Sequence, residues 1–388
     1  MKFEFIDKWK ELKKFEKLSD EERSIVFYAE NKASMNHFRS LISEITEIQK
    51  MQICYVTSVK NDPMLNSKNK NIHTFYIGDG TIRTKFFVTL KANILIMDMP
   101  DLETFHIKRS KVHPVHYIYL FHSMFSVHSY LRKDAINNYD TIFCVGDHHV
   151  KEIRETEKVY GLKSKKLVSY GFPRLDDLLL QKRNHSIVTQ SKNLVLITPS
   201  YGDNNLLEIC GIELIDILLK SNFKVLLRPH FKILIESKKL IESINEKFGN
   251  NPNFILEKGV IPLDLFHSSM CLISDWSGIS LEYAFTFEQP VIFIDVPKKI
   301  LNPDSSDISL EPIEISIRNK IGHIVSPKNL EKIPKLITSS YENDKNISEQ
   351  IKSIRSKTVF NICNSAKIGA NYIQKLNDEI IEENKKNQ

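Results

Sequence analysis

The sequence predicts an α/β protein made of two doubly wound domains. The first observation is its length of 388 residues, which exceeds what one hydrophobic core usually supports. The second is a series of short β-branched and aromatic runs, each followed by turn residues and then by an amphipathic stretch. The third is that this rhythm stops at a polar stretch, residues 181–186, and then starts again.

These apolar runs predict the strands of both domains in order. In the N-terminal domain they are residues 25–29, 53–57, 74–77, 94–97, 116–121, 142–145 and 167–170. In the C-terminal domain they are residues 194–198, 225–227, 254–256, 271–273 and 291–294. From residue 347 onward the pattern is helical. We therefore predict an N-terminal Rossmann-like domain over residues 1–185, a C-terminal one over 186–346 and closing helices with a polar tail over 347–388.

Doubly wound domains bind ligands at the carboxyl ends of their parallel strands. Two such domains facing across a shared cleft form the GT-B arrangement, which we expect here. The N-terminal domain then holds the acceptor and the C-terminal domain holds a nucleotide donor.

The composition argues against several other classes of protein. The net charge of +6 rests on dispersed lysines, so we expect no nucleic-acid partner. No stretch approaches the ~18 apolar residues of a membrane span, and the first residues form no secretory signal, so we expect a cytoplasmic protein. The five cysteines are scattered without metal-ligand spacing, which predicts small core residues.

Residues 3–17 predict an amphipathic helix. Lysines occupy much of its surface, and its apolar stripe consists of Phe5, Ile6, Trp9, Leu12 and Phe15. Such a helix can dock on its own domain or lie on the anionic inner face of the cell membrane, and the pattern allows both.

The segment 271–285 predicts a strand, a turn and a helix. Its turn places small and hydroxyl residues at the first helical turn, where free backbone N–H groups and the helix dipole favour a diphosphate. The alternative is that these residues only cap the helix. The candidate donor contacts are Ser274, Asp275, Ser277, Gly278, Ser280 and Glu282, the last through ribose hydroxyls.

Two further strands end in residues that suit transfer chemistry. Arg228 and His230 follow the strand at 225–227, where a cation can bind phosphate and an imidazole can donate a proton to it. His122 follows the strand at 116–121 and suits removal of a proton from an attacking hydroxyl, with Ser123 beside it. Both histidines also fit a purely structural role. Six histidines fall between His113 and His149 without a recognised metal-ligand framework, so we expect no metal.

Other strand ends add weaker candidates. They fit simple turn chemistry equally well. In the N-terminal domain they are Gly146, Asp147, Gly171 and Arg174, and in the C-terminal domain they are Thr198 and Ser200.

Together, and in this order, the motifs resemble the CDP-glycerol glycerophosphotransferase family, whose members make teichoic acids and related capsule or surface polymers. The resemblance covers residues 110–300. It is carried by Gly171-Phe-Pro-Arg-Leu-Asp, by the strand into Arg228-Pro-His230, and by Ser274-Asp-Trp-Ser-Gly-Ile-Ser-Leu-Glu-Tyr-Ala-Phe.

The resemblance implies a GT-B fold and attack by an acceptor hydroxyl on the donor's β-phosphorus, with release of CMP and no cofactor. It makes His122 and His230 the two catalytic histidines. Ser274, Asp275 and Ser277 match the family's phosphate-binding segment. The sequence departs from the family pattern at Phe-His-Ser-Met around His122, at Gly278 in place of a serine, and at Glu282 in place of an aspartate.

We therefore expect a transferase that moves glycerol phosphate, or a related polyol phosphate, from a CDP-activated donor to a hydroxyl of a cell-surface, capsular or lipid-linked glycan, in peripheral contact with the inner membrane surface. Three alternatives remain from the sequence alone. They are a GT-B glycosyltransferase with a nucleotide-sugar donor, a nucleotide-sugar 2-epimerase, and a non-catalytic nucleotide-binding subunit.

Overall fold

The computed structural model describes residues 2–184, 193–259 and 261–386, which fold into two compact units. The N-terminal unit comprises Met1–Asp177, Asn302–Ser309 and Val359–Gln388. The C-terminal unit comprises Leu178–Leu301 and Leu310–Thr358. Each unit contains one parallel sheet, so the predicted fold class of two doubly wound α/β domains is confirmed.

The N-terminal sheet has the strand order β3-β2-β1-β4-β5-β6-β7. Strands β1, β2 and β4 are buried along their whole length, because helices cover both faces of the sheet. Successive strands are added on one side of β1 up to β3 and on its other side from β4 onward. The carboxyl ends of β1 and β4 are therefore the expected ligand-binding edge. The strands are β1 (Ile25–Ala29), β2 (Ile53–Thr57), β3 (Ile72–Tyr76), β4 (Ile94–Met97), β5 (His116–Leu120), β6 (Thr141–Cys144) and β7 (Lys166–Ser169).

The C-terminal sheet has the strand order β10-β9-β8-β11-β12-β13 and reverses between β8 and β11. Strand β13 lies at the edge, and we did not predict it from the sequence because only Val325 of its four residues is buried. The strands are β8 (Leu194–Thr198), β9 (Lys224–Leu227), β10 (Phe254–Leu256), β11 (Cys271–Ser274), β12 (Val291–Ile294) and β13 (Gly322–Val325).

Helices connect the strands and close both units. They are α1 (Lys2–Glu16), α2 (Met35–Ser43), α3 (Thr81–Thr89), α4 (Val127–Tyr130), α5 (Asp147–Tyr160), α6 (Pro173–Asn184), α7 (Ile212–Lys220), α8 (Phe231–Glu236), α9 (Lys238–Phe248), α10 (Leu263–Ser268), α11 (Ile279–Phe287), α12 (Ile313–Ser316), α13 (Arg318–Ile321), α14 (Ile333–Glu342), α15 (Asp344–Thr358) and α16 (Ser365–Lys386). Shorter 3₁₀ or π turns occupy Glu44–Ile48, Pro63–Asn66, Leu207–Gly211, Pro303–Asp307 and Pro327–Lys332.

Helix α1 docks on the N-terminal unit through its second half. Leu12 and Phe15 are buried, and the Phe15 ring meets Phe75 and Phe86 edge-on, with centroids 5.5 and 5.2 Å away. Phe5 and Ile6 are about half exposed, at 50% and 46%. The apolar stripe is therefore used only in part by the domain itself. Among the helices of the described residues, none has the length and apolar character needed to cross a membrane.

The division of the chain differs from the predicted boundaries. The boundary that we placed at residues 185 and 186 lies outside the described residues, and residues 359–388 belong to the N-terminal unit rather than forming a separate closing segment. Helix α16 explains the difference, because Ala370 and Ile373 are fully buried in the N-terminal core. Residues 302–309 join the same unit, where the Asn302 side chain donates to the carbonyl of His128 over 2.7 Å.

Gly171 permits the C-terminal segment to pass close to the end of β7. Its φ angle is +106°, and a Cβ atom there would lie 2.4 Å from the carbonyl oxygen of Phe360 and 2.3 Å from Oγ of Ser365. A side chain at this position would therefore be strained by its backbone conformation and would clash with backbone as well.

We predict that Gly171→Ala destabilises the N-terminal unit by ~3 kcal/mol, because overpacking costs ~1–3 kcal/mol and a left-handed alanine ~1–2 kcal/mol. Gly161→Ala is the matched control, since its φ is +62° but nothing lies within 4 Å of the new Cβ. Urea unfolding followed by the fluorescence of Trp9, in a Trp276→Phe background, reports this unit. Equal losses in both variants would contradict the packing argument.

Candidate active site

A cavity of about 390 Å³ lies in the N-terminal unit where β1, β4 and β5 end. This position is the switch point of the sheet, where an open α/β fold binds its ligands. The titratable side chains that line it are Glu30, His37, Asp98, Asp101, His106 and His122. The cavity thus includes His122, one of the two histidines that the sequence singled out.

His122 is half-buried and held from two sides. Its Nε2 atom lies 3.1 Å from the hydroxyl of Tyr130, and the ring also hydrogen bonds to the backbone of Asp98. Burial lowers the pKa of His122 below its usual value, and the Asp98 hydrogen bond offsets only part of that shift. The ring is therefore neutral at physiological pH and can accept a proton.

His37 and Asp98 line the same cavity, and the sequence did not identify either. The His37 ring lies 6.2 Å from that of His122, and burial lowers its pKa to about 3, with smaller contributions from the charges of His122 and Arg174. Its Nδ1 atom is buried and has no hydrogen-bond partner within the described residues. His37 lies inside helix α2, where no strand-end signal marks it.

Asp98 follows directly after β4 and could have been found by the strand-end rule. Its carboxylate accepts a hydrogen bond from Oγ of Ser34 over 3.0 Å, and burial raises its pKa to about 6. The neighbouring Glu30 is paired with Arg83 at 3.0 Å. A buried carboxyl group with a raised pKa is well suited to hydrogen bond with a hydroxyl group.

Histidines around the His122 loop hold its backbone in place. Nε2 of His148 lies 3.0 Å from the carbonyl of Met124, and Nε2 of His149 lies 2.8 Å from that of Phe125. Glu152 accepts from the backbone N–H of Val127 over 2.5 Å and contacts Nδ1 of His128 at 3.0 Å. The dense histidine stretch thus positions a loop, and no cluster of potential metal ligands is found in the part of the chain that the structure describes.

The other N-terminal candidates do not line the cavity. Oγ of Ser123 accepts from the N–H of Phe125 over 3.1 Å, which makes it a turn residue. Gly146 caps helix α5, and Asp147 is exposed and paired with Lys151 at 2.6 Å. Each fits the structural alternative that the sequence left open.

Gly171 and Arg174 lie at the start of helix α6. Gly171 is buried against residues 360 and 365, as described above. Arg174 is half-buried, and it lies near enough to His37 for its charge to lower the pKa of that ring. Of these two residues, only Arg174 therefore influences the cavity.

In the C-terminal unit, hydrogen bonds join the ends of β8 and β11. Oγ of Ser274 donates to the carbonyl of Thr198 over 2.6 Å. The Asp275 carboxylate accepts from the backbone N–H groups of Ser200 at 2.6 Å and Leu206 at 3.0 Å. We call these three hydrogen bonds the β8–β11 tie.

The β8–β11 tie gives a structural role to four of the predicted donor contacts. The side chains of Ser274 and Asp275 hydrogen bond within the protein. All four residues are buried, namely Thr198, Ser200, Ser274 and Asp275. The Ser280 hydroxyl is also buried and donates to the carbonyl of Ser277 over 2.8 Å. Short polar side chains after a strand satisfy the backbone as readily as they bind a ligand, so their identity alone does not separate the two roles. The half-buried candidates of this segment are Ser277, Gly278 and Glu282.

His230 is half-buried and caps helix α8. Its Nδ1 atom accepts a hydrogen bond from the backbone N–H of Lys232 over 3.2 Å, so the proton of the neutral ring is carried by Nε2. Burial, together with the charges of Lys299, Arg228 and Lys232, lowers the pKa of His230 to about 4. The ring is therefore a neutral N–H donor at physiological pH.

Cationic groups surround the Tyr201 ring beside His230. The two rings stack with centroids 4.6 Å apart, while Nζ of Lys299 lies 2.9 Å and Nζ of Lys232 lies 4.2 Å from the Tyr201 centroid. Nε of Arg228 donates to the carbonyl of Gly259 over 3.2 Å. We call Tyr201, His230, Lys232 and Lys299 the basic cluster. Tyr201 and Lys299 follow β8 and β12. The sequence predicted hydroxyl contacts after β8 and no contact after β12.

The model of the CDP-glycerol:poly(glycerophosphate) glycerophosphotransferase family matches residues 12–299, which is well over half of the chain. The protein belongs to this family. The glycerophosphotransferase is thus an enzyme of the transferase class, and the family match favours this function over the 2-epimerase alternative. A search of curated proteins finds no match to the sequence.

Solved structures with this GT-B fold include transferases and epimerases. The wall teichoic acid polymerase TagF, solved with CDPG, has a TM-score of 0.59 and 17% identity, over 97% of this chain and 94% of the other. The UDP-GlcNAc 2-epimerase from Neisseria meningitidis has a TM-score of 0.55 and 13% identity, over 90% and 99%. At these identities the structural likeness establishes the fold of the glycerophosphotransferase, and the family match establishes its class.

Proposed function

We propose that this glycerophosphotransferase transfers glycerol phosphate from CDP-glycerol to a hydroxyl group of a cell-surface glycan, such as a teichoic acid or capsule polymer, and releases CMP. The observation that carries the proposal is the pair of neutral histidines at strand ends, His122 in a cavity of one unit and His230 among cations in the other. The family match supports the donor, and so does the CDPG bound by TagF.

The transfer step is a displacement at the β-phosphorus of the donor. The acceptor oxygen forms a new bond to this phosphorus, and the bond to the oxygen that bridges the two phosphates breaks. The electron pair of that bond leaves with CMP, and the hydroxyl proton of the acceptor passes to His122. The products are CMP and a phosphodiester between glycerol and the acceptor.

The acceptor cavity favours an uncharged hydroxyl group. Among the described residues that line it, carboxylates are present and neither lysine nor arginine is found. An anionic group placed beside Asp98 and Glu30 would meet repulsion, whereas a sugar or polyol hydroxyl can hydrogen bond with both. His122 lies in this cavity in its neutral form, which a general base requires.

His230 and the helix α11 end serve the donor in this proposal. The Nε2–H group of His230 donates to a phosphate oxygen. The half-buried Ser277 and Gly278 lie at the start of helix α11, which has nine residues, and the backbone N–H groups there favour an anion. Glu282 lies in the first turn of the same helix, which suits hydrogen bonding to ribose hydroxyls. The β8–β11 tie supports these groups without contacting the donor.

We also propose that helix α1 contacts the inner surface of the membrane on which lipid-linked acceptors are assembled. Phe5 and Ile6 remain exposed beyond the docked Leu12 and Phe15. The side chains of Lys10 and Lys14 are about two-thirds exposed on the same helix, at 66% and 68%. Exposed apolar residues flanked by lysines fit an anionic lipid interface.

The first prediction concerns turnover. The wild-type enzyme is expected to release CMP from CDP-glycerol in the presence of a glycan acceptor, and His122→Asn and His230→Asn are each expected to lower kcat by ~10²–10⁴-fold. His113→Asn is the control, because His113 lies outside the cavity and the basic cluster. His122→Asn should still bind CMP, which separates lost chemistry from lost folding. Turnover of UDP-sugars alone would reject the proposal.

The second prediction concerns pH. Both histidines have lowered pKa values, so both stay neutral as the pH falls through 6.5, the ordinary value for histidine. Activity that depends on neutral rings is present above these lowered pKa values and is lost only below them. The acidic limb of kcat/KM is therefore expected below pH 6.5. A midpoint at or above pH 6.5 would contradict the assigned protonation state of at least one of the two histidines.

The third prediction concerns helix α1. The wild-type protein is expected to float with vesicles that contain phosphatidylglycerol and to release them at high salt. The Phe5→Ser/Ile6→Ser variant is expected to bind at least ~10-fold more weakly, because it lacks the two apolar side chains that enter the lipid surface. Ile48→Ser is the control, since Ile48 is 68% exposed outside helix α1. Vesicle binding that is unchanged in the double variant would contradict this role.

A further inference from the structure

The basic cluster brings positive charges together, and the carboxylates of Asp275 and Glu236 act on Lys299 through their charge without forming an ion pair with it. Nζ of Lys299 and Nζ of Lys232 lie over the same Tyr201 ring, at 2.9 and 4.2 Å from its centroid. Within the described residues, neither ammonium group makes a salt bridge to a carboxylate at 4.0 Å or less. The face of an aromatic ring attracts cations, but it does not cancel the repulsion between two of them.

The position of Lys299 connects three strand ends of the C-terminal sheet. Lys299 follows β12, and its ammonium group covers the ring of Tyr201, which follows β8. Its side chain also lies near Gly202, where an added Cβ would be 3.6 Å from Cε of Lys299. The carboxylate of Asp275 after β11 is near enough for its charge to influence Lys299. These strand ends form the edge at which an open α/β sheet binds its ligand.

The cluster lacks the counter-charge that an anion would supply. Burial, with a smaller contribution from the charge of Lys232, lowers the pKa of Lys299 to about 8, and the charges of Asp275 and Glu236 offset only part of this shift. His230 adds an Nε2–H donor beside the same ring without adding charge. Two ammonium groups and one neutral N–H group around a rigid ring provide three donor groups and two positive charges. These match a diphosphate dianion in number and charge.

We propose that Lys299 and Lys232, held over Tyr201, bind the diphosphate of the donor and neutralise the charge that CMP gains as it leaves. This inference rests on the proposed function, which it deepens by naming two residues that bind the donor. Tyr201 acts as a positioning residue, because its ring holds both ammonium groups beside His230.

The test compares Lys299→Met and Lys232→Met with Lys298→Met, which removes the same charge from the adjacent exposed lysine. Each of the first two variants is expected to raise the KM for CDP-glycerol and the Kd for CMP and CDP by ~10-fold or more, because a charge-assisted hydrogen bond is lost. Lys298→Met is expected to stay within ~2-fold of the wild type. The KM for the acceptor is expected to remain unchanged, which distinguishes the donor diphosphate from a phosphate of the acceptor polymer.

Two further variants test how the ring acts. Tyr201→Phe keeps the aromatic face and is expected to retain donor affinity, while Tyr201→Leu is expected to lose it by about the same factor as the lysine variants. Lys299→Arg is expected to recover most of the affinity lost in Lys299→Met. Thermal unfolding of each variant shows whether the fold is intact.

Failure of this inference and failure of the proposed function give different results. If the wild type turns over CDP-glycerol but Lys299→Met keeps the wild-type KM and CMP affinity, the inference is overturned and the function stands. If the wild type does not turn over CDP-glycerol, titration with CDP and inorganic pyrophosphate still tests whether the cluster binds a diphosphate. Weakened binding in Lys299→Met supports the diphosphate site, and unchanged binding overturns it.

Discussion

The buried carboxylate of Asp275 makes the interactions on which the candidate donor groups of the C-terminal unit depend. It accepts two backbone N–H groups from the segment after β8, which would otherwise be left buried without partners. Ser200, one of these donors, directly precedes Tyr201, so the tie that fixes the backbone also sets the ring beside His230. The lysines over that ring depend in turn on its position. A buried carboxylate whose partners are backbone N–H groups therefore determines where the cationic groups lie.

In the N-terminal unit, side chains of the same type have different roles around the cavity. The Nε2 atoms of His148 and His149 hydrogen bond to loop carbonyls, whereas His122 lies in the cavity with a lowered pKa. Burial keeps His122 neutral, whereas His230 is kept neutral by burial together with neighbouring cations. The two rings thus reach the same protonation state through different surroundings.

The order of strands and the positions of the strand-end motifs were predictable from the sequence, because fully buried parallel strands leave continuous apolar runs. The direction of a short side chain was not. Ser274 and Asp275 fit a phosphate-binding turn by spacing, yet both point inward, since backbone groups of a neighbouring strand compete for the same oxygens. His37 within a helix gives no pattern, and edge strand β13 lacks a buried run. Tyr201 and Lys299 become meaningful only through contacts between distant parts of the chain.

Helix α16 has a consequence for how the protein is made. Its buried residues complete the core around β1, β4 and β5, although the C-terminal sheet is synthesised between them. During translation part of the apolar surface of the first sheet stays uncovered until helix α16 has left the ribosome. The second sheet needs only residues that have already emerged. The half of the enzyme that is synthesised first is therefore the half that finishes folding last.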